Sequence, residues 1–123
     1  MKLFLDTTNL DEIIFFSDIG LVDGVTTNPS LIAKSGKNIS TVIKQICEVV
    51  TGPVSAEVIS SDATGMIEEG LQLSKISPNV AIKLPITWEG LKACRYLSNK
   101  NIKINMTLCF SVTQNLLAAK AGA

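Results

Sequence analysis

One lysine and two carboxylates are the residues of this sequence best suited to covalent chemistry. Lys83 is the only charge in the apolar stretch 80–86, and lysine is almost never fully buried without a partner. Burial favours the neutral form of an amine, which can attack a carbonyl carbon and form a Schiff base. Asp6 and Glu57 belong to other apolar stretches, and they could move the protons that carbinolamine formation, dehydration and hydrolysis require.

The same three residues also fit a structural interpretation. A buried Lys83 could be neutralised by Glu57 or Asp6 without doing any chemistry. Polar residues on other apolar stretches, Thr26, Asn28, Asn105 and Thr107 among them, could each simply satisfy backbone groups near a strand end. Residue types alone do not separate the two interpretations, and both stay open at this point.

The sequence contains no histidine, which excludes several common catalytic devices within these residues. Neither a Ser-His-Asp nor a Cys-His arrangement can be assembled, and we predict no metal site. The three cysteines, Cys47, Cys94 and Cys109, lack a C-x-x-C spacing and are predicted to be small core residues in a reducing compartment. No phosphate-loop or dinucleotide-binding glycine motif is present.

Charge and hydropathy favour a cytoplasmic protein with small-molecule partners. Eleven basic residues balance eleven acidic ones, which argues against nucleic acid or an anionic membrane as the partner. The apolar stretch at the N-terminus stops after Leu5, short of the roughly seven residues a signal peptide needs. No apolar run approaches the ~18 residues of a membrane span. The 46% hydrophobic content is therefore expected to form an internal core.

Short apolar runs alternate with segments of helical period, which is the pattern of successive βα units in one domain, residues 1–123. The predicted strands are Lys2 to Asp6, Gly24 to Asn28, Pro53 to Ile59, Asn79 to Pro85 and Asn101 to Phe110. The predicted helices run from Thr8 to Gly20, Asn28 to Gly36, Ile39 to Val50, Asp62 to Ser74, Thr87 to Asn99 and Ser111 to Ala121. The first helix is expected to bury Ile13, Ile14, Phe16 and Ile19, and the third an apolar stripe from Ile39 to Val50.

Two architectures accommodate parallel strands joined by helices: an open doubly wound sheet and a closed (β/α)8 barrel. The length of 123 residues favours the open sheet, because a barrel needs about 200 or more. Polar residues near the carboxyl ends of the strands favour the barrel, whose interior opens into a site. On the fifth strand, alternation predicts an apolar face from Ile102 to Phe110 and a polar face of Lys103, Asn105, Thr107 and Cys109.

Four motifs closely resemble the transaldolase family, which includes the small fructose-6-phosphate aldolase-like proteins. They are Leu3-Phe4-Leu5-Asp6-Thr7, Gly24-Val25-Thr26-Thr27-Asn28-Pro29-Ser30, Ile82-Lys83-Leu84-Pro85 and Ile104-Asn105-Met106-Thr107-Leu108. They follow one another in family order along essentially the whole chain. The resemblance implies a class I, Schiff-base mechanism without a cofactor on a (β/α)8 TIM barrel, of which these residues form about the first five units.

The resemblance also implies a role for each matching residue. Lys83 matches the Schiff-base lysine and Asp6 the acid/base of strand one. Glu57 and Thr107 match the pair that positions the catalytic water. The substrate and the intermediate are expected to be held by Asn28, Asn105 and Thr26.

The reaction implied by the resemblance moves a dihydroxyacetone unit from a ketose phosphate to an aldose phosphate in the pentose phosphate pathway. Aldolase-type members tend to have Gln where Glu57 stands, so this carboxylate favours transaldolase over fructose-6-phosphate aldolase activity. The expected partners are sugar phosphates and further copies of the chain in a homo-oligomer. A non-catalytic fragment that acts by association is the remaining alternative.

Overall fold

Five strands alternate with six helices in the computed structural model, which describes all 123 residues. The strands are β1 (Phe4–Asp6), β2 (Gly24–Thr26), β3 (Val54–Glu57), β4 (Val80–Pro85) and β5 (Lys103–Thr107). The helices are α1 (Leu10–Asp18), α2 (Pro29–Lys34), α3 (Ile39–Val49), α4 (Ala63–Leu73), α5 (Trp88–Ser98) and α6 (Val112–Ala121). Each predicted element is present, so the alternation of βα units is confirmed.

The helices begin where short polar side chains cap them. The side chain of Asp62 accepts from Gly65 N, and that of Thr87 accepts from Gly90 N, both at 3.0 Å. Such contacts satisfy N–H groups that a first helical turn leaves without partners. At the far end of α6, Gly122 has a φ of 106°, a left-handed conformation that glycine adopts without strain. Local sequence signals thus set most helix boundaries.

The five strands form one parallel sheet in the order β1-β2-β3-β4-β5. Right-handed crossovers between neighbouring parallel strands, always in the same direction, place successive helices on the same face. A doubly wound sheet reverses its strand order and covers both faces, so this alternative is excluded. Sequential parallel strands with one helical layer are the arrangement of consecutive units of a (β/α)8 barrel.

The core lies between the helical layer and the sheet. Fully buried strand residues such as Val25, Val54 and Ile82 pack with Ile43 and Leu97 from the helices in one cluster. Burying an aliphatic side chain of this kind contributes about 1.5–3 kcal/mol. The stripe predicted on α3 is confirmed: Val42, Ile43, Ile46 and Val50 are buried, and Ile39 and Val49 pack against them.

Two expectations about buried residues are wrong, both at an edge of the sheet. In α1 only Ile13 is buried, Phe16 is half-buried, and Ile14 and Ile19 are exposed. The reason is that α1 covers the edge strand β1 and has a packed helical neighbour, α3, on one side. The apolar alternation of β5 stops at Thr107. Leu108 takes a φ of 65° and turns the chain out of the sheet, which leaves its side chain exposed.

The strands are shorter than predicted. β2 ends at Thr26 and β3 at Glu57, so residues that were expected to end these strands belong to the loops instead. None of the six helices combines the length and the apolar character needed to cross a membrane.

Candidate active site

The face of the sheet opposite the helices carries the candidate residues. Because side chains alternate along a strand, the register of the parallel pairs places one set of them on a common face. The candidates on this face are Asp6, Thr26, Glu57, Lys83, Asn105 and Thr107. All of them lie near the carboxyl ends of their strands, which is where (β/α)8 enzymes bind substrate.

Lys83 and Glu57 form an ion pair at the middle of this face. They are register partners on β4 and β3, and Lys83 Nζ lies 3.1 Å from Glu57 Oε2. Only 13% of the lysine side chain and 21% of the glutamate side chain are exposed. The same Nζ donates to the carbonyl oxygen of Thr27 at 3.2 Å, so the amine reaches across β3 to the end of β2. Two acceptors therefore fix the position of a largely buried amine.

Asp6 does not contact Lys83, which answers one question that the sequence left open. Its carboxylate Oδ1 accepts a 2.8 Å hydrogen bond from the Thr26 hydroxyl, its register partner on β2. Asp6 is exposed at the edge of the sheet. The pairing partner of Lys83 is therefore Glu57, and Asp6 provides a second carboxylate at the same end of the sheet.

Asn105 and Thr107 stand on β5, beside Lys83. Asn105 is the register partner of Lys83, and its amide Nδ2 donates to Ser55 Oγ at 3.0 Å. Thr107 is the register partner of Pro85, and its carbonyl accepts from Ile86 N at 3.1 Å. The first contact ties β5 to β3 across β4, the second joins β5 to the residue that follows β4, and Thr107 is half-buried on the same face.

Asn28 lies beyond β2 and has a structural task of its own. Its Oδ1 accepts from Leu31 N at 2.9 Å and caps α2, with Pro29 in the first helical position. The helix predicted from Asn28 to Gly36 thus begins at this cap. The amide nitrogen of Asn28 is not used in the cap.

An open cavity of about 390 Å³ lies at the carboxyl ends of β3 and β4. Its lining includes Glu57, Pro85 and Thr87, together with the loop that follows β3. No group of three or more His, Cys, Asp or Glu residues is arranged to hold a metal ion. The lining thus supplies the carboxylate of Glu57 and the hydroxyls of serine and threonine residues, and Lys83 reaches the cavity only through its ion pair with Glu57.

A family profile and individual relatives resemble this chain along its whole length. The profile of the family described as Transaldolase/Fructose-6-phosphate aldolase matches residues 3–123. The chain belongs to this family.

Among curated relatives, a probable transaldolase of Parvibaculum lavamentivorans is 59% identical over 123 residues, which are 100% of this chain and 56% of the relative. Probable transaldolases of Paracoccus denitrificans and Cereibacter sphaeroides are each 58% identical over the whole chain and are covered to 57% and 56%. The chain thus spans little more than half the length of these transaldolase relatives.

Two polar residues of this transaldolase-family site were missed in the sequence. Ser55 is 2% exposed and holds the Asn105 amide, while Thr27 is fully buried, supplies its carbonyl to Lys83 and donates its hydroxyl to the Ser55 carbonyl at 2.8 Å. Ser55 precedes Glu57 by two residues, so strand alternation could have placed both on the same face. Thr27 acts through its backbone carbonyl, and a backbone contact of this kind cannot be predicted from the residue type.

Proposed function

We propose that Lys83 is the Schiff-base nucleophile of a transaldolase. The observation that carries the proposal is the ion pair of Lys83 and Glu57 at 3.1 Å, largely buried on the open face of the sheet. Transfer of the ammonium proton to the carboxylate leaves a neutral amine, whose electron pair can attack a ketose carbonyl. The amine has a defined position before substrate binds, because it contacts both the Thr27 carbonyl and Glu57.

Proton transfers then follow between this pair and the substrate. The carbinolamine formed on Lys83 loses its oxygen as water after protonation, and an iminium results. Glu57, with Thr107 across β4, positions that water and returns it in the later hydrolysis. Both residues face the same side of the sheet as the lysine, and this common face supports the assignment.

Carbon–carbon cleavage needs a second base, and Asp6 has that role. Its carboxylate takes the proton of the substrate hydroxyl whose carbon becomes the aldehyde, and the bond electrons move into the iminium to form an enamine. The aldose phosphate leaves, a different aldose phosphate adds to the enamine, and Asp6 returns the proton. The hydrogen bond from Thr26 at 2.8 Å orients the carboxylate for both steps.

The amides bind the donor and the intermediate. Asn105, held by Ser55, and Asn28, held by its capping contact, present amide groups to the hydroxyls of the sugar. Thr26 belongs to the same wall. The donors are sedoheptulose 7-phosphate or fructose 6-phosphate, and the acceptors are glyceraldehyde 3-phosphate or erythrose 4-phosphate, as in the pentose phosphate pathway. No cofactor takes part.

Fructose-6-phosphate aldolase activity is the alternative within the family. In that reaction a proton, and not a second sugar, adds to the enamine carbon, and water then hydrolyses the resulting iminium to release dihydroxyacetone. The carboxylate of Glu57 beside the amine favours transaldolase, because aldolase-type members of the family tend to have Gln at this position. Measured transfer to erythrose 4-phosphate should exceed free dihydroxyacetone release, and the reverse ratio would favour the aldolase.

At the level of the whole protein, we propose one domain, a cytoplasmic location and a homo-oligomer without a nucleic acid partner. The single core cluster supports the first of these. A second candidate function, association without catalysis, is supported by the free edges of β1 and β5, since unpaired parallel edges can pair with another chain. Sizing and activity assays, with and without a chain that supplies further units of a (β/α)8 barrel, separate the two. A monomer active by itself contradicts association.

Borohydride trapping tests the nucleophile with a matched control. We expect wild-type protein incubated with fructose 6-phosphate and borohydride to gain a covalent adduct, because reduction fixes the iminium. Lys83→Met should abolish the adduct. Lys103→Met, which removes an exposed lysine from the same face of the neighbouring strand, should retain it. Equal adduct formation in both variants would contradict the proposal.

A further inference from the structure

The loop between β3 and α4 leaves the sheet directly beside Glu57. The last sheet hydrogen bond on this side runs from Val58 N to the carbonyl of Lys83 at 3.3 Å. From Ile59 onward the backbone has no strand partner, yet residues 58–61 form a wall of the cavity that contains Glu57. Something other than the sheet must therefore hold this wall.

One carboxylate from the helical layer holds it. Glu69, on α4, accepts from Ile59 N at 2.7 Å through Oε2 and from Ser60 N at 3.0 Å through Oε1. The Ser60 hydroxyl donates to the same Oε1. Hydrogen bonds to an ionised acceptor are roughly twice as strong as neutral ones, and two parallel bonds also fix direction. A single side chain thus replaces the missing strand partner of two consecutive residues.

A neighbouring helix secures the other end of the loop. Glu89, on α5, accepts from Ala63 N at 3.0 Å, where α4 begins. The segment from Ile59 to Ala63 is consequently tied at both ends by glutamates of two successive helices. Of these two glutamates only Glu69 acts close to Glu57, because it holds Ile59, which follows Glu57 by two residues.

We propose that Glu69 is a positioning residue, which holds the β3–α4 loop and through it the orientation of Glu57 toward Lys83. This inference rests on the proposed function of that pair. Glu69 touches neither reacting atom, and its role is to keep the last residues of β3 and the cavity wall in one conformation. Loss of its carboxylate leaves the N–H groups of Ile59 and Ser60 without a protein acceptor, and the loop then moves independently of the sheet.

Amide hydrogen exchange tests the clamp itself, without reference to activity. Glu69→Ala should raise the exchange rates of Ile59 and Ser60 by at least about tenfold, because both amides lose their acceptor. Glu69→Gln should be intermediate, since one carbonyl oxygen remains. The control is Glu68→Ala, which removes an exposed carboxylate from the same helix turn. Equal exchange at Ile59 and Ser60 in the Glu69→Ala and Glu68→Ala proteins would overturn the inference.

The rate constant of adduct formation tests the coupling to Lys83. With fructose 6-phosphate and borohydride, the maximal rate should fall about tenfold in Glu69→Ala, less in Glu69→Gln and not in Glu68→Ala, while the half-saturating sugar concentration stays the same. Partial unfolding would instead lower the amount of adduct and leave its rate constant unchanged.

Two outcomes separate this inference from the proposal on which it rests. A rate constant in Glu69→Ala equal to that in Glu68→Ala overturns the positioning role and leaves the Schiff base intact. Absence of any Lys83 adduct in the wild type overturns the proposed function and the positioning role together, whatever the exchange rates show about the loop.

Discussion

Lys83 Nζ on β4 lies 3.1 Å from Glu57 Oε2 on the adjacent β3, and the two residues are partners in the sheet register. Their proximity is therefore fixed by strand pairing and not by flexible side chains alone. With 13% and 21% of their side chains exposed, the two charges interact in a less polar medium than a surface pair does. This geometry supplies a proton acceptor for the amine, and it makes each partner depend on the other for stability.

Glu57→Gln should lower both activity and stability. Lys83 would lose its counter-charge while staying mostly buried, which costs about 1–3 kcal/mol of unfolding free energy. Loss of proton transfer should slow adduct formation with fructose 6-phosphate by about 10²–10⁴-fold. Urea unfolding and borohydride trapping measure the two effects. The control Glu68→Gln removes an exposed charge and should change neither, and unaltered trapping in Glu57→Gln would exclude Glu57 from the chemistry.

Asp6→Asn should separate Schiff-base formation from carbon–carbon cleavage. The amine and Glu57 are untouched, so the adduct still forms, but the substrate hydroxyl has no base to take its proton. The mass of the reduced adduct should therefore correspond to the whole six-carbon sugar phosphate, and not to the three-carbon fragment. Asp18→Asn, an exposed change at the end of α1, serves as the control. A three-carbon adduct in Asp6→Asn would contradict the role of Asp6.

Cys94 should make the chain less stable in alkali. Burial raises the pKa of this thiol above its ordinary value of 9.0, so the folded state keeps a proton that the unfolded state loses. The full contribution to stability is present below about pH 9, and it is lost as the pH rises through the folded pKa. Urea unfolding between about pH 8 and 11 should show that the free energy of unfolding declines more steeply with pH in wild type than in Cys94→Ala. Parallel declines would contradict this origin.

Gly90→Ala should disturb the junction between β4 and α5. A Cβ atom at this position would lie 1.9 Å from the carbonyl oxygen of Pro85, which is backbone and cannot rotate away. Because Pro85 follows Lys83 by two residues, relief of the clash shifts the end of β4. We expect a loss of about 1–3 kcal/mol in urea unfolding and slower trapping on Lys83. Wild-type values for both would show that α5 can move without cost.

Local signals in the sequence were sufficient for the elements and for most of the candidate site. Caps such as Asp62 and Thr87 mark helix starts through contacts within one turn, so nearby residues determine them. The polar residues near the strand ends pointed to one face, because strand alternation is also local. The identity of the Lys83 partner was undecided, since it depends on the register of two strands that are far apart in sequence.

Edge effects and backbone contacts could not be predicted in this way. The exposure of Ile14 follows from the position of β1 at the edge of the sheet that these 123 residues form, which depends on strand order and not on local sequence. The turn at Leu108, with a φ of 65°, contradicts the local preference of leucine, and no residue pattern indicated it. Likewise, the carbonyl of Thr27 reaches Lys83 only through the tertiary arrangement.

Peptide mapping of the reduced adduct identifies the lysine that forms the Schiff base. Wild-type protein incubated with fructose 6-phosphate and borohydride is digested, and the modified lysine is identified by mass spectrometry. We expect a single three-carbon adduct on Lys83, the amine held by Glu57 and the Thr27 carbonyl. An adduct on any other lysine, with Lys83 unmodified, would contradict it.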